Sequence, residues 1–259
     1  MHIIDLSSPV DSEQYESDPV EHTVLTPAEG ARHMSAEMAA HFGLGFDVND
    51  LPDGEFLSLD RLSLTTHTGT HVDAPSHYGT RASYREGGPR HIDEMPLDWF
   101  HRPGLVLDLS DAPTGAVGRE VLEREFARIA TLPEPMDIVL LHTGAQRHRG
   151  TPKYFTDFAG LDGAATNYLL DLGVKVIGTD AFSLDAPFTD IIDRYQRSRD
   201  PSVLWPAHFA GRDREYCQVE RLANLELLPP QGFTVVCFPV KVARAGAGWA
   251  RAVALVDER

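Results

Sequence analysis

Residues 67–77 read His-Thr-Gly-Thr-His-Val-Asp-Ala-Pro-Ser-His, so three of the chain's 12 histidines and one aspartate fall within eleven residues. Imidazole nitrogen and carboxylate oxygen are the usual ligands of Zn2+, Mn2+ and Fe2+. His67, His71, Asp73 and His77 all occupy odd positions, so an extended strand would put them on one face. A straight strand would still hold His67 and His71 roughly 13 Å apart, too far to share an ion. A helix would bring them together, but Gly69, two threonines and Pro75 oppose one. The remaining solution is a tight turn at a strand end, with Gly69 permitting the bend and a strand over Arg61–Thr66 as its base. His77 is either a further ligand or a free acid/base. Its near-neutral pKa and its distance from the bend favour proton transfer.

One segment rarely completes a metal site, so a carboxylate and a histidine from elsewhere are expected to converge on it. His208 and Glu220 are the candidates, and His208 is also carried as a second catalytic histidine. Candidate substrate contacts are His142 and Ser183, each following an apolar run, and the aromatic Trp205 and Phe209. Trp99 and Phe100 are weighed beside these two, with core packing as the commoner use of such rings. Asp180 and Asp185 fit a turn stabilised by side-chain hydrogen bonds. Ser183 is a poor nucleophile candidate, because no Gly-x-Ser-x-Gly elbow surrounds it.

The elements that must position these groups follow from apolar periodicity. Strands are expected over Ile3–Ser7, Arg61–Thr66, Gly104–Leu109, Asp137–His142, Val174–Thr179, Thr234–Val240 and Arg251–Val256, many of them nearly continuous in apolar residues, as strands covered on both faces are. Helices are expected over Gly118–Ala130, over Asp162–Leu172 with Asp162 as N-cap and a stop at Gly173, and over Asp190–Arg199. Their alternation with strands argues for an α/β domain with a mixed β core flanked by helices. Residues 8–60 read as an irregular arm or lid with one short helix around Ala28–His41, within a single domain spanning 1–259.

Composition narrows the partners. The 259 residues carry a formal net charge of −16, which repels nucleic acid and anionic membranes and points to a small-molecule substrate. No run approaches a membrane span and no leader pattern opens the chain, so a cytoplasmic protein is expected. Cys217 and Cys237 do not form a disulfide framework. Cys237 fits the core and Cys217 a partly exposed position.

The eleven-residue segment resembles the signature His-x-Gly-Thr-His-x-Asp-x-Pro-x-His of the cyclase family of metal-dependent enzymes, which includes kynurenine formamidase and isatin hydrolase, and matches it at every fixed position. Asp5-Leu-Ser, Gly178–Asp185, His208 followed twelve residues later by Glu220, Phe238–Lys241 and Gly248–Ala254 are similar to further segments of that family. The resemblance implies a swivelling β/β/α fold and a divalent metal, Zn2+ or Mn2+, held by His67, His71 and Asp73. In two-metal members Asp73 would bridge, and His208 and Glu220 would hold the second ion. His77 would be the acid/base, and the protein a homodimer or homotetramer. Pro27–Met34, His91–Phe100 and Leu204–Arg212 resemble the bacterial aromatic-polyketide branch, which makes an aromatic polyketide intermediate the first expected substrate.

Two chemistries suit such a site. A cation that polarises a carbonyl supports enolisation, intramolecular aldol closure and loss of water. A cation that acidifies water supports hydrolysis of a small amide or lactone. The first, a polyketide cyclase of antibiotic biosynthesis, is the leading expectation and the second the alternative. A non-catalytic scaffold that keeps the fold is the third.

Overall fold

Leu105 and Leu107 face one side of their strand while Val106 faces the other, and all three are buried. Ile138 and Leu140 likewise face one side, Val139 and Leu141 the opposite one. This two-sided burial explains why these runs carry no polar residue. The computed structural model describes residues 1–257. Its strands are β1 (His2–Asp5), β2 (Glu21–Leu25), β3 (Leu59–Ser63), β4 (His71–Asp73), β5 (His101–Asp108), β6 (Gly115–Val117) and β7 (Ile138–His142). They continue with β8 (Ala159–Leu161), β9 (Val176–Thr179), β10 (Cys217–Glu220), β11 (Gln231–Val236), β12 (Ala247–Trp249) and β13 (Val253–Val256). The helices are α1 (Pro27–Phe42), α2 (Arg119–Ile129), α3 (Gly163–Asp171), α4 (Phe188–Ser198) and α5 (Pro206–Ala210).

The chain divides into two compact units, one made of Met1–Val10, Gln14–Glu16 and the chain from Thr66 onward, the other of Asp11–Glu13 and Ser17–Thr65. In the first unit nine strands form one sheet in the order β1-β13-β11-β5-β7-β9-β10-β4-β12. The run β5-β7-β9-β10 is parallel and the pairings outside it are antiparallel. One face packs on α2 and α3 through Leu122, Phe126, Ala165 and Leu169. On the other face Val72 of β4 shares a cluster with Ala254 of β13 and Phe233 of β11. These strands lie near opposite ends of the sheet order, so the sheet curls on itself. This is the mixed, helix-flanked α/β architecture expected from the sequence.

Local chemistry sets the helix ends as read. Asp162 caps α3 by accepting from the Ala165 N–H at 2.8 Å, and Gly173 follows with φ 88°.

Three readings change. Residues 8–60 are less irregular than expected: the helix expected around Ala28–His41 is present as α1, which runs sixteen residues from a Thr26–Glu29 capping box to Gly43 in the left-handed region, and β2 pairs with β3. The strand expected over Arg61–Thr66 ends at Ser63 and belongs to that separate hairpin, so it is not the base of the histidine bend. Its apolar residues Leu59 and Leu62 are exposed, so they mark no buried face. Cys217, expected to be partly exposed, is fully buried on β10, as Cys237 is in the core. Among the described residues no helix is long and apolar enough to cross a membrane.

Burial on both faces of β7 makes a specific demand. Leu140→Ala and Leu141→Ala should each destabilise the protein by about 2–5 kcal/mol in denaturant unfolding. A near-neutral result at either position would mean that one face of the strand is solvated.

Candidate metal centre

The bend lies at Gly69, whose φ is 67°, and the chain then enters β4 itself rather than leaving a preceding strand. β4 is held between β10 and β12, with His71 opposite both Glu220 and Trp249. Directly opposed residues share a face of the sheet, so Glu220 and His71 stand side by side. Val72 and Ala74 point the other way, into the core. The bend folds His67 back over β4, and a 3₁₀ turn at Pro75–Tyr78 returns His77 to the same place. Short α5 delivers His208.

Six ligand-type side chains therefore meet. Asp73 Oδ1 lies 3.0 Å from His67 Nδ1 and 3.4 Å from His71 Nε2. His71 Nε2 is 3.7 Å from Glu220 Oε2. His208 Nε2 is 3.9 Å from both Asp73 Oδ2 and Glu220 Oε1. The His77 ring centroid is 4.3 Å from that of His67 and 5.4 Å from that of His208. Two triads have ligand atoms mutually within 4.8 Å, His67-Asp73-His77 and His71-Asp73-Glu220. His77 is thus drawn into the cluster more closely than its sequence distance from the bend suggested, and its geometry suits a ligand as well as an acid/base.

The chemistry of the donor set can be tested on burial. Asp73 and His71 have no solvent exposure. Both Asp73 oxygens and His71 Nε2 lack an aligned hydrogen bond, although the neighbouring groups are close. Buried polar atoms are normally satisfied, and a carboxylate left this way is costly. A divalent cation among these atoms would satisfy all three, so the residues fit a metal. His71 meets the requirement in another respect, because its Nδ1 is engaged with the Gly69 carbonyl at 2.9 Å, which leaves Nε2 to face the cluster.

The electrostatics tell the same story. Burial opposes ionisation of Asp73, but the charge of His71 and the contact with His67 outweigh it and hold the carboxyl well below the usual range. Glu220 is pushed the other way, by burial and then by the negative charge of Asp73. His208 rises to about 9 because Asp185 overcomes the cost of burial. His77 falls to about 4, since burial, with His67 and His208 behind it, outweighs Asp73.

The remaining sequence candidates stand elsewhere. His142 ends β7, which is separated from β4 by the two strands β9 and β10, and its Nδ1 lies 3.2 Å from Asp108 Oδ1. Ser183 is buried in the loop after β9. Trp205 precedes α5 and its ring meets Phe188 at 5.3 Å. Phe209 is covered by the Arg212 guanidinium at 3.9 Å. Trp99 and Phe100 are core residues. Asp180 is the turn organiser allowed for in the sequence, accepting from Thr143 N–H and Oγ1–H and from Gly144 N–H. Asp185 is more than that, since its Oδ2 takes the His208 Nδ1–H at 2.5 Å. The signal that could have found it was its place at the end of the Gly178–Asp185 segment.

Comparison with known proteins gives the same picture. The model of the Cyclase family, described as "Putative cyclase", matches residues 4–186. The chain is 29% identical over 212 residues to kynurenine formamidase of Salinibacter ruber, covering 78% of this chain and 81% of that one. Isatin hydrolase A of Labrenzia aggregata, bound to benzyl benzoate, superposes with a TM-score of 0.74 at 22% identity over 99% of this chain and 94% of the other. A structure described as a potential metal-dependent hydrolase with cyclase activity superposes with a TM-score of 0.64 at 19% identity over 100% and 99% of the two chains. At these identities the structural likenesses speak for the fold, while the match over residues 4–186 takes in the bend, β4 and the loop that ends at Asp185. The chain belongs to the Cyclase family.

Proposed function

We propose that this protein is a metal-dependent hydrolase of a small amide or lactone. The observation that carries the reading is the buried Asp73 carboxylate, unsatisfied at both oxygens and ringed by His67, His71, His77, His208 and Glu220. His67, His71 and Asp73 would hold a Zn2+ or Mn2+ ion, with His208 and Glu220 available for a second. A divalent ion held there supplies polarisation of a carbonyl oxygen and acidification of water. His77 is neutral at pH 7, so its ring can take a proton from water and pass it to the leaving nitrogen or oxygen. Trp205 and Phe209 flank His208 in sequence and offer aromatic surface to a ring-bearing substrate. Ser183 belongs to the loop after β9, and His142, tied to Asp108, is the least favoured contact.

Ring closure of an aromatic polyketide was the first expectation from the sequence. The family description speaks of a putative cyclase and of no polyketide, and the relatives named above, a formamidase and two hydrolases, favour the alternative. A small-molecule substrate, a cytoplasmic place and a homodimeric or homotetrameric assembly remain part of the proposal, supported by the family membership and the acidic surface.

Activity decides between the readings. With Zn2+ or Mn2+ the protein should open N-formylkynurenine, isatin or a simple lactone. Inertness toward all three, together with an altered product pattern from a co-expressed polyketide synthase, would reinstate the cyclase. Metal-independent behaviour in both assays would leave the scaffold. His77→Ala should lower kcat by about 10²–10⁴-fold with metal content retained, and a metal-free His77→Ala protein would make His77 a ligand instead.

Stability gives an independent reading. Dialysis against a chelator should lower Tm, and returning the ion at about 100 times its Kd should restore about 2.7 kcal/mol. Asp73→Asn should show no such gain, because it removes the charge that the ion neutralises. An Asp73→Asn protein that responds to metal as the natural chain does would displace Asp73 from the site.

A further inference from the structure

Glu220 and His208 come to the cluster from different elements, β10 and α5, yet two consecutive residues of one loop hold them both. Leu184 donates its backbone N–H to Glu220 Oε1 at 2.8 Å. Asp185, the next residue, accepts from His208 Nδ1 at 2.5 Å and from the backbone N–H groups of Ala207 and His208 at 2.7 and 3.1 Å. Asp185 has no solvent exposure, and a buried carboxylate needs such donors. The loop is braced in turn by β8. The Leu161 N–H donates to the Leu184 carbonyl at 2.8 Å, and Leu161 pairs with Asp185 in a parallel bridge. Gly160 lies so close that a Cβ there would stand 2.2 Å from the Asp185 backbone carbonyl.

We propose that Leu184 and Asp185 form a bracket that presents Glu220 and His208 to a divalent cation as one unit, with Asp185 as the positioning residue for His208. The inference rests on the metal-dependent reading above. An ionised carboxylate only accepts, so the proton of a neutral His208 sits on Nδ1 and the lone pair sits on Nε2. Nε2 is the atom that faces Asp73 and Glu220. Fixing the ring also removes rotational freedom that ion binding would otherwise have to freeze. The bland reading is that Asp185 only caps the start of α5 through Ala207 and His208.

Asp185→Asn separates the two. With its NH2 in the place of Oδ2, an asparagine keeps the bond from the Ala207 N–H and gives up the one from the His208 N–H, and it can donate to His208 Nδ1, which moves the imidazole proton to Nε2 and disables that atom as a ligand. With Co2+ as the probe, Asp185→Asn should bind about 10–100-fold more weakly and show an altered visible absorption spectrum, while the metal-free protein stays folded with only the small loss of Tm due to the missing His208 N–H bond. Asp185→Glu should recover part of the affinity. In a His208→Ala background Asp185→Asn should cause no further loss. Wild-type Co2+ affinity and spectrum in Asp185→Asn, or an equal further loss in the His208→Ala background, would overturn the bracket and leave the metal reading standing. A natural chain that binds no Co2+ would remove both. Should Asp185→Asn not fold, Gly160→Ala serves in its place: its Cβ would press on the Asp185 carbonyl and the Ala186 N and so push the bracket without altering the Asp185 side chain, and undiminished Co2+ affinity there would also overturn the proposal.

Discussion

The site depends on keeping one carboxylate charged where water cannot reach it. Asp73 closes β4 with no exposed surface, and its neighbours in register are Gln218 and Ala247, neither of which compensates a negative charge. Charge in such a place must be answered by positive charge or aligned donors, or the group gives up its ionisation. Here three histidines approach from three directions: from the bend, from β4 itself and from α5. They approach without aligned hydrogen bonds, so the compensation they give is electrostatic and incomplete. That incompleteness is what gives a cation its advantage, because an ion can contact both oxygens at once.

The same constraint explains the opposite behaviour of the two buried carboxyls. Asp73 is held ionised by His71 and His67, and once it is charged Glu220 is discouraged from ionising beside it. Two carboxylates this near each other need a partner of higher charge than an imidazolium to ionise together. A cluster of this kind sacrifices stability of the metal-free chain for affinity, which is common at functional sites and rare in cores built for stability alone. The surrounding sheet makes this tolerable. β4 is fixed on both edges, and Val72 and Ala74 anchor it in the opposite core.

Much of this was legible in the sequence because the ligands of the bend are local. The odd spacing of His67, His71, Asp73 and His77, with a glycine between the first two, demands a turn wherever it occurs. The long apolar runs gave the central parallel strands because two-sided burial leaves no polar position in them. The three-residue strands β4, β6, β8 and β12 were not legible, since their pairing is decided by partners far away in the chain. Arg61–Thr66 misled for the converse reason. Part of it does enter a strand, but that strand belongs to the β2–β3 hairpin, where Leu62 is exposed. His208 and Glu220 were named only because one segment rarely completes a metal site, and family resemblance then strengthened them, since no local periodicity marks either. Asp185 escaped notice as a support because its imidazole partner lies on another element.

These differences divide the centre into halves that form by different routes. His67, His71, Asp73 and His77 need only the Gly69 bend and the turn at Pro75–Tyr78, both of which are short-range. Glu220 reaches His71 only when β10 has paired with β4, and that in turn fixes the register of β10 on β9. His208 arrives only when the loop after β9 lies on β8 and Asp185 meets α5. An ion bound by both halves would link a local turn to the completed sheet, so its binding energy would report on tertiary order and not merely on the signature segment. A peptide carrying the eleven residues alone would lack that link. The chemistry therefore belongs to the assembled sheet, and the histidine signature supplies only the part of it that can be written locally.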